Sequence, residues 1–360
     1  MTPHTFVRNA WYAAGPSVAF EPGKLTGHRI CGRPMVIWRA QDGKIVVLDD
    51  RCAHKRFPLS KGRLMEDGTL ECAYHGLRYD CTGTCVKVPS QPNAPIPPNA
   101  KAKPFPTIEQ DGFVWVWTGD PAKASSCRPP RTPEMTDPQI EVVVGDAFRA
   151  PANYILLHEN LVDITHFYPL HDGNIGDLEN SLIPVQLVEG EADGNTYVGT
   201  VREVQNYKLP PYLADYFGYD VVDRFHSHIV LNPGMARVVM RVAPPGQLGT
   251  DKERGYSLLH ITTPVDERNL IWQWIVTSNK SHMSGGDPTV SVAQRFAATF
   301  NDVAAQDVWA LPLQQEMFDV PDNGYSEIYL KSDIAVRRVR KIMNDLWRAE
   351  QPTESAQAAE

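Results

Sequence analysis

The sequence predicts an α+β protein with a β-rich N-terminal domain and a C-terminal domain in which helices flank an antiparallel sheet. Three observations support this prediction. Residues 7–118 read as short strands separated by turns. Residues 152–348 show helical spacing of apolar residues at both ends and strand-like segments between them. Two proline-rich connectors place the domain boundary between residues 120 and 140.

The length and composition are those of a globular protein. The 360 residues suffice for two domains of ordinary size, and a hydrophobic content of 42% allows a core to be buried. A net charge of −8 argues against general binding to nucleic acids or anionic membranes. No apolar run reaches the length of a membrane span, and the first ten residues lack the apolar segment of a signal peptide. We therefore expect a cytoplasmic protein.

The N-terminal domain is predicted from segments rich in β-branched and aromatic residues, which favour strands. These segments are residues 35–38, 45–48 and 113–117. Asp-Gly pairs at 42–43 and 111–112 supply turns before two of them. Residues 89–106 contain seven prolines and should form an extended connector, because proline interrupts both helices and sheets.

The C-terminal domain is predicted to contain one antiparallel sheet between helical segments. The predicted helices are residues 152–171, 291–318 and 333–348. The predicted strands are residues 196–201, 237–242, 256–263 and 269–277. The domain bounds that follow are 1–130 and 131–350, with a disordered tail at 351–360 because these last residues are small and polar.

Two short pairs of metal-ligating residues stand out in the N-terminal domain, Cys52-Ala-His54 and Cys72-Ala-Tyr-His75. Two thiolates and two imidazoles are the ligand set of a Rieske [2Fe–2S] cluster, in which cysteines hold one iron and histidines the other. A structural zinc site takes the same residue types, but zinc fingers usually group their cysteines together and their histidines together. The mixed order of the pairs favours the cluster.

A second group of candidate ligands comprises Asn160, Asp163, His166 and His171. Steps of three should place the first three on one helix face, and Pro169 should loosen the helix before His171. Two convergent imidazoles and one carboxylate form the facial triad that binds Fe(II) and leaves positions open for O₂. Taken alone, such a string is more often a set of ordinary surface and core histidines.

The carboxylate of this triad must come from elsewhere in the chain. Asp302 and Asp307 are the candidates in the late helix, and the alternative for either is a solvated helix face. The remaining cysteines, which include Cys81 and Cys85 on either side of a Thr-Gly-Thr turn, are expected to be free thiols, although a disulfide between these two stays open.

Several motifs resemble the oxygenase components of Rieske non-haem iron oxygenases. The segments Cys52–Ser60 and Cys72–Leu77 resemble the cluster-binding loops, although Lys55 stands where many members have arginine. The string from Asn160 to His171 resembles the mononuclear-iron motif, and the segment 306–315 resembles the one that supplies the ligating aspartate, which favours Asp307 over Asp302. Among these enzymes the chain looks like the vanillate O-demethylase and dicamba monooxygenase type.

The resemblance implies the fold, the cofactors and the assembly. It implies a helix-grip, START-like catalytic domain with a Rieske [2Fe–2S] cluster and a mononuclear Fe(II). The implied ligands are Cys52, His54, Cys72 and His75 for the cluster, and His166, His171 and Asp307 for the iron. Asp163 would link His166 to His75 of a neighbouring chain, which implies a homotrimer, and Asn160 would approach the iron without firmly binding it.

The resemblance also implies a monooxygenase that hydroxylates or dealkylates a small O- or N-alkyl aromatic compound with O₂, as in aromatic compound degradation. His260 resembles a substrate-facing position of these enzymes, and the alternative is a strand histidine bonded to a neighbour. No G-x-G-x-x-G follows a predicted strand, so NAD(P)H should act only indirectly, through a separate reductase with or without a ferredoxin.

Two other functions use the same features. A cis-dihydroxylating, phthalate-type aromatic-ring dioxygenase needs both metal centres, and incorporation of two labelled oxygens rather than one from ¹⁸O₂ would distinguish it. A Rieske ferredoxin that only carries electrons needs about the first hundred residues. The long C-terminal region with its own ligand string argues against the second of these functions.

Overall fold

The computed structural model describes residues 6–172, 174–176, 178–321 and 323–351. The chain forms two compact units, one of Arg8–Arg131 and one of Thr132–Glu360 together with Met1–Val7. The first unit is β-rich, and the second combines a large antiparallel sheet with helices, so the α+β fold is confirmed. Except for Gln351, the predicted disordered tail lies outside the described residues.

The first unit consists of ten strands connected by turns within the described residues. They are β1 (Trp11–Pro16), β2 (Thr26–Ile30), β3 (Arg33–Arg39), β4 (Ile45–Asp49), β5 (Arg63–Leu64), β6 (Leu70–Glu71), β7 (Arg78–Tyr79), β8 (Cys85–Lys87), β9 (Thr107–Gln110) and β10 (Phe113–Trp117). They pair as three antiparallel sheets in the orders β1-β10-β9, β2-β3-β4 and β5-β6-β7-β8.

Apolar residues of the first unit explain where its strands form. All five residues of β10 are buried, and so are Met35–Trp38 of β3, because these segments face protein on both sides. The predicted strands 35–38, 45–48 and 113–117 are confirmed. The proline-rich connector over residues 89–106 contains neither helix nor strand, as expected.

The second unit is organised around a sheet of seven antiparallel strands among the residues described. They are β11 (Ile140–Ala150), β12 (Gln186–Ala192), β13 (Asn195–Lys208), β14 (Val221–Asn232), β15 (Met235–Ala243), β16 (Arg254–Asp266) and β17 (Asn269–Asn279). Their order in the sheet is β11-β17-β16-β15-β14-β13-β12, so every strand after β11 pairs with its neighbour in sequence.

Helices pack against this sheet, and two of them carry Asn160 and Asp307. They are α1 (Tyr154–Val162), α2 (Phe167–Leu170), α3 (Leu178–Leu182), α4 (Pro211–Phe217), α5 (Val292–Asp319) and α6 (Ile334–Arg348). Ser291 caps α5 in a capping box with Gln294, which satisfies backbone donors at the helix start. Helix α5 contacts β11, β16 and β17, while α1 contacts α5, α6, β14 and β16. No helix in the described ranges is both long enough and apolar enough to cross a membrane.

The single helix predicted over residues 152–171 is wrong in its second half. Helix α1 ends at Val162, and Asp163 has left the helical conformation at φ −92° and ψ 108°. The Asp163 carboxylate accepts hydrogen bonds from the Thr165 N–H at 2.8 Å and the Thr165 hydroxyl at 2.6 Å. Such local bonds compete with helical ones. Asn160, Asp163 and His166 therefore do not share one helix face.

Strand β11 is absent from the sequence prediction, and it lies at one edge of the sheet. Its register shifts between Val144 and Ala147, which interrupts the alternation that would reveal a strand. Gly145 occupies this irregular stretch because a Cβ there would meet the Trp274 ring at 2.0 Å.

A buried ion pair joins α1 to α6. Both Glu159 oxygens accept hydrogen bonds from the Arg340 guanidinium at 2.6 Å, and the Glu159 side chain is 7% exposed. Burial raises the pKa of Glu159 above its ordinary value, although Arg340 acts in the opposite direction. The ion pair with Arg340 therefore stabilises the buried Glu159 carboxylate between α1 and α6.

We expect Arg340→Met to lower the free energy of unfolding by about 3–5 kcal/mol, because it leaves Glu159 buried without its partner. The thermal midpoint and the urea midpoint of the holoprotein measure this loss. The double variant Glu159→Gln/Arg340→Met should recover part of it, since no buried charge remains unpaired. A double variant that is as unstable as the single variant would contradict this role of the pair.

Candidate functional site

The two Cys/His pairs of the first unit lie on two loops with the same backbone hydrogen bonds. The Cys52 N–H donates to the Phe57 carbonyl at 2.9 Å, and the Arg56 N–H donates to the Cys52 carbonyl at 2.8 Å. The second loop repeats both bonds, at 2.9 and 3.0 Å, with Cys72, Leu77 and Gly76. The fourth residue after each cysteine has a positive φ, 55° at Arg56 and 71° at Gly76. Each cysteine is thus fixed by a tight, independent turn.

The predicted cluster ligands converge with the cysteines inside and the histidines outside. Cys52 and Cys72 are buried, whereas His54 and His75 are exposed with ring centroids 4.5 Å apart. Burial raises the pKa of the Cys72 thiol, and the adjacent Cys52 raises it further. Two thiolates this close in a buried place need a cation between them. The donor set and its placement fit a Rieske [2Fe–2S] cluster.

Tyr79 contacts the sulfur of one cysteine ligand. Its hydroxyl oxygen accepts a hydrogen bond from the Ala53 N–H at 3.0 Å and lies 3.1 Å from the Cys52 Sγ. Because the backbone N–H must be the donor in the first contact, the hydroxyl hydrogen is free to point at the sulfur. When Cys52 binds the cluster as a thiolate, it has no hydrogen to give, so Tyr79 would be the donor in this contact.

The second group of ligands forms where α1, α2 and α5 meet. His166 immediately precedes α2, His171 directly follows it, and Asp307 lies in the middle of α5. Asp307 Oδ1 is 3.6 Å from His166 Nε2 and 3.3 Å from His171 Nε2, and the ligand atoms of the three residues lie within 4.8 Å of one another. Adjacent ligands of an octahedral ion with bonds of about 2.1 Å lie roughly 3 Å apart. The group therefore fits a single first-row metal ion.

Neighbouring amides orient these ligands. The Gln306 Oε1 lies 2.8 Å from His171 Nδ1, so this nitrogen carries the proton of the neutral ring and Nε2 is left to bind a metal ion. Asn160 Nδ2 donates to Asp307 Oδ1 at 3.0 Å and lies 3.5 Å from His166 Nε2. Asp302, the other candidate carboxylate, is exposed, whereas Asp307 is 4% exposed.

Burial and charge act differently on the two histidines. Burial lowers the pKa of His166, against the opposing charges of Asp307 and Asp163. Burial also disfavours protonated His171, but the hydrogen bond and charge of Asp307 outweigh it and raise the pKa of His171. A metal ion competes with that proton, so metal binding should weaken as the pH falls.

Asp163 lies in the bend between α1 and α2. Its Oδ1 is engaged by Thr165, and its negative charge favours the protonated form of His166. Asp163 is thus next to the metal group of His166, His171 and Asp307 without belonging to it. Its role as a link between metal centres stays a prediction.

A cavity of about 690 Å³, a volume that includes open solvent at its mouth, opens onto the metal group. Asn160, His166, His171 and Asp307 form part of its wall. Much of the remaining wall is aromatic or aliphatic, including Phe167, Leu213, Val238, Met240, Trp272 and Phe300. Such a mostly apolar cavity with a few polar groups is typical of a small-molecule site.

His260, on β16, also lines this cavity. The Trp272 Nε1–H donates to His260 Nδ1 at 3.0 Å, and burial lowers the pKa of His260 to about 3. The ring is therefore neutral and carries its proton on Nε2. That N–H has no hydrogen-bond partner in the part of the chain that the structure describes, so it is a donor available to a ligand.

Sequence analysis missed a polar wall of the cavity, which is formed by β14 and α3 and backed by β13. Arg224, His226 and His228 alternate along β14, which places all three on one face of the strand. Arg202 on β13 pairs with His226 across the sheet, and Asn180 on α3 lies close to both arginines. The period-two pattern of polar residues in β14 was the signal that could have revealed this wall.

We expect Tyr79→Phe to lower the reduction potential of the cluster, because hydrogen bonds to the ligand sulfurs favour the reduced, more negative state. A redox titration followed by visible circular dichroism measures the shift. Tyr74→Phe, at an exposed tyrosine of the Cys72–His75 loop, keeps the Cys52 bond and serves as the control. Equal potentials for Tyr79→Phe and the unmodified protein would contradict this bond.

We expect Gln306→Leu to weaken Fe(II) binding by about 10- to 100-fold, because His171 loses the partner that fixes its tautomer. Equilibrium dialysis of the apoprotein against Fe(II) without O₂ measures the change. Gln314→Leu on the same helix is the matched control, since that side chain is exposed. An affinity that falls equally in both variants would show that the effect is unrelated to His171.

Known protein families match both units of the chain. The Rieske [2Fe-2S] domain matches residues 10–105, and the vanillate O-demethylase oxygenase C-terminal domain matches residues 150–349. The second match alone covers more than half of the chain. It includes all the residues of the metal group and of the cavity wall named above.

Individual relatives agree with these families. The toluene-4-sulfonate monooxygenase system iron-sulfur subunit of Comamonas testosteroni is 34% identical over 67% of this chain and 68% of its own length. A vanillate O-demethylase oxygenase subunit of a Pseudomonas strain is 28% identical over 98% of both chains. The crystal structure of dicamba monooxygenase bound to dicamba superposes with a TM-score of 0.82 at 27% identity, covering 96% of this chain and 99% of that one.

These relatives are components of monooxygenase and demethylase systems, and they favour that function over the cis-dihydroxylating alternative. A crystal structure of dicamba monooxygenase with non-haem iron is also similar, at a TM-score of 0.78 and 26% identity. The cofactors predicted from the sequence, a Rieske [2Fe–2S] cluster and a mononuclear non-haem iron, are confirmed. The chain belongs to the vanillate O-demethylase family of Rieske non-haem iron oxygenases and is an oxygenase component of the monooxygenase type.

Proposed function

We propose that this oxygenase component hydroxylates the O- or N-alkyl carbon of a small aromatic compound, after which the product releases an aldehyde. The observation that carries the proposal is the group of His166, His171 and Asp307 in the wall of a mostly apolar cavity. Residues 1–130 would carry the cluster and residues 131–350 the iron. Relatives named for dicamba, vanillate and toluene-4-sulfonate support an aromatic substrate.

Each proposed ligand has a defined task. Cys52, His54, Cys72 and His75 would hold the cluster, and His166, His171 and Asp307 would hold the iron. When bound, the cluster supplies single electrons and the ferrous ion supplies O₂ activation. Asn160 would act as a positioning residue, because its amide donates to Asp307 Oδ1 and fixes the carboxylate.

The cavity wall would bind and orient the substrate. Phe167, Trp272 and Phe300 present aromatic surface to a ring and exclude water from it. His260 would donate its Nε2–H to an oxygen of the substrate, since Trp272 fixes the tautomer. Such a bond to a neutral imidazole would hold one orientation of the ring without adding a charge.

Asp163 would connect the two metal centres of neighbouring copies, from His166 of one chain to His75 of the next, in a homotrimer. Exposed His75 and the charge of Asp163 on His166 support the two ends of this connection. An exposed apolar stripe on α5 supports assembly, with Trp309, Leu313 and Met317 at 65%, 47% and 63% exposure. Head-to-tail contacts form a closed ring when the rotation between copies closes, as it would in a trimer.

Electrons would reach the cluster from a separate reductase, with or without a ferredoxin, and NAD(P)H would act only through that reductase. A cytoplasmic location would give this reductase access to its nicotinamide cofactor.

The proposal predicts aldehyde release with consumption of O₂ when methoxy- and N-methyl-aromatic compounds are supplied with a surrogate reductase. Turnover under ¹⁸O₂ should place one labelled oxygen in each hydroxylated product. His166→Ala and Asp307→Ala should lose the mononuclear iron and all turnover while keeping the visible spectrum of the cluster. Two labelled oxygens in a cis-diol would instead support ring dihydroxylation.

Asp163→Asn separates electron transfer from metal binding in the same experiment. Its iron and sulfide content should be unchanged, and electron transfer from the reduced cluster to the iron site in single turnover should be slowed at least about 100-fold, since the charged link is gone. Size-exclusion chromatography with light scattering reports whether the trimer persists. Single turnover at the unmodified rate would contradict the proposed connection.

A further inference from the structure

Two arginines are buried together beside the cavity without a carboxylate. Arg202 is 3% exposed and Arg224 is 4% exposed. Each donates through Nη1 to the same acceptor, Asn180 Oδ1, at 3.3 and 3.2 Å. Within the described residues, the guanidinium groups donate to Asn180 and His226 and to no carboxylate, and the Nε–H of each lacks a hydrogen-bond partner. Buried guanidinium groups are normally paired, so this arrangement is incomplete as a structural unit.

The neighbouring histidines cannot supply the missing acceptor. The Arg224 Nη2 donates to His226 Nδ1 at 2.9 Å, which leaves the proton of that ring on Nε2. His226 Nε2 is 2.9 Å from His228 Nε2, and His228 Nδ1 is 2.9 Å from the Leu161 carbonyl. The bonds therefore run in one direction from Arg224 to Leu161. Each ring acceptor in this chain is already occupied.

Both histidines are neutral, so the positive charge of the group resides on the arginines. Burial lowers the pKa of His228 to about 3 and that of His226 well below its ordinary value. Burial, together with the charge of Arg224, lowers the pKa of Arg202 to about 10, which still leaves it protonated at neutral pH. Asp163 is close enough to favour the charge of Arg202, but the two do not form an ion pair.

This unpaired charge faces the substrate cavity. Asn180, Arg224 and His226 line the same cavity as His166, His171 and Asp307, while Arg202 is not part of the cavity wall. The Arg224 guanidinium also lies over the Tyr207 ring at 5.3 Å, which limits its movement. A planar, fixed guanidinium presents parallel N–H donors, the arrangement that binds carboxylate or sulfonate groups.

We propose that Arg224 and Asn180 bind an anionic group, a carboxylate or sulfonate, on the aromatic substrate, with Arg202 adding positive charge from behind. This inference rests on the proposed function and narrows its substrate class. An anion held at this wall fixes one end of the ring, so the alkyl group at another position is the part presented to the metal group. Neutral aromatic ethers of the same shape would bind weakly and without a preferred orientation.

Binding of matched probes to the holoenzyme tests the proposal without turnover. Isothermal titration calorimetry would compare 4-methoxybenzoate and toluene-4-sulfonate with the neutral 4-methoxybenzamide. We expect the unmodified protein to bind at least one of the two acids at least 10-fold more tightly than the amide. An amide that binds as tightly as both acids, or no binding of either acid at millimolar concentration, would overturn the inference.

Substitutions of Arg224 test whether this residue causes the preference for the acids over the amide. Arg224→Met should weaken binding of the preferred acid by about 10- to 100-fold, as expected for loss of charged hydrogen bonds, and leave the amide within about threefold. Arg224→Lys should fall between the two, since it keeps the charge but not the planar fork. Arg241→Met is the matched control, because Arg241 lies on adjacent β15, is partly exposed and pairs with Glu253.

The outcomes separate this inference from the proposed function. Circular dichroism and iron content verify that each variant is folded and loaded. If Arg224→Met weakens the acid and the amide equally, Arg224 has a structural role and the inference is wrong. If acid binding follows the prediction but no probe yields an aldehyde, the anion site stands and the proposed dealkylation fails. If a neutral ether is dealkylated as efficiently as an acid, dealkylation stands and the anion site fails.

Discussion

The buried carboxylate of Asp307 is the constraint on which the second unit depends. Asp307 is 4% exposed in the middle of a helix, where an isolated charge would be costly. The imidazoles of His166 and His171 and the Asn160 amide surround its Oδ1. A single helix over residues 152–171 could not direct all three side chains to the same atom. The break at Asp163 is therefore required, since it turns the chain so that His166 and His171 both face α5. The capping of α5 and the packing of α1 fix the two sides of this junction.

The sequence was sufficient to predict the candidate ligands that lie in short motifs with fixed spacing. Cys52, His54, Cys72 and His75 could be predicted as cluster ligands because two ligand pairs of mixed type favour one cofactor over zinc. His166 and His171 followed from a second motif. Asp307 is different, because helical spacing alone could not separate it from Asp302. The structure gives the physical distinction: Asp302 is exposed, whereas Asp307 is buried against both histidines.

Prediction from the sequence failed where contacts with distant parts of the chain override the local preference for helix or for solvent exposure. Residues 152–171 have helical spacing throughout, yet the Asp163 carboxylate bonds to Thr165 and ends the helix. Arg224, His226 and His228 look like the solvated face of a strand, but they point into the protein. Their acceptors, Asn180 and the Leu161 carbonyl, are distant in sequence. The period-two pattern of β14 places these residues on one face of a strand, but it does not show that this face is buried, because the partners that justify the burial are distant in sequence.

The metal group joins parts of the chain that are far apart, since His166 and Asp307 are separated by 141 positions. An ion held between α2 and α5 therefore acts as a cross-link that closes a long loop. Its binding free energy is added to that of folding, because the unfolded chain cannot assemble the same ligands. Iron supply would then govern how long the enzyme survives in the cell as well as how fast it works, and iron starvation would shorten its lifetime.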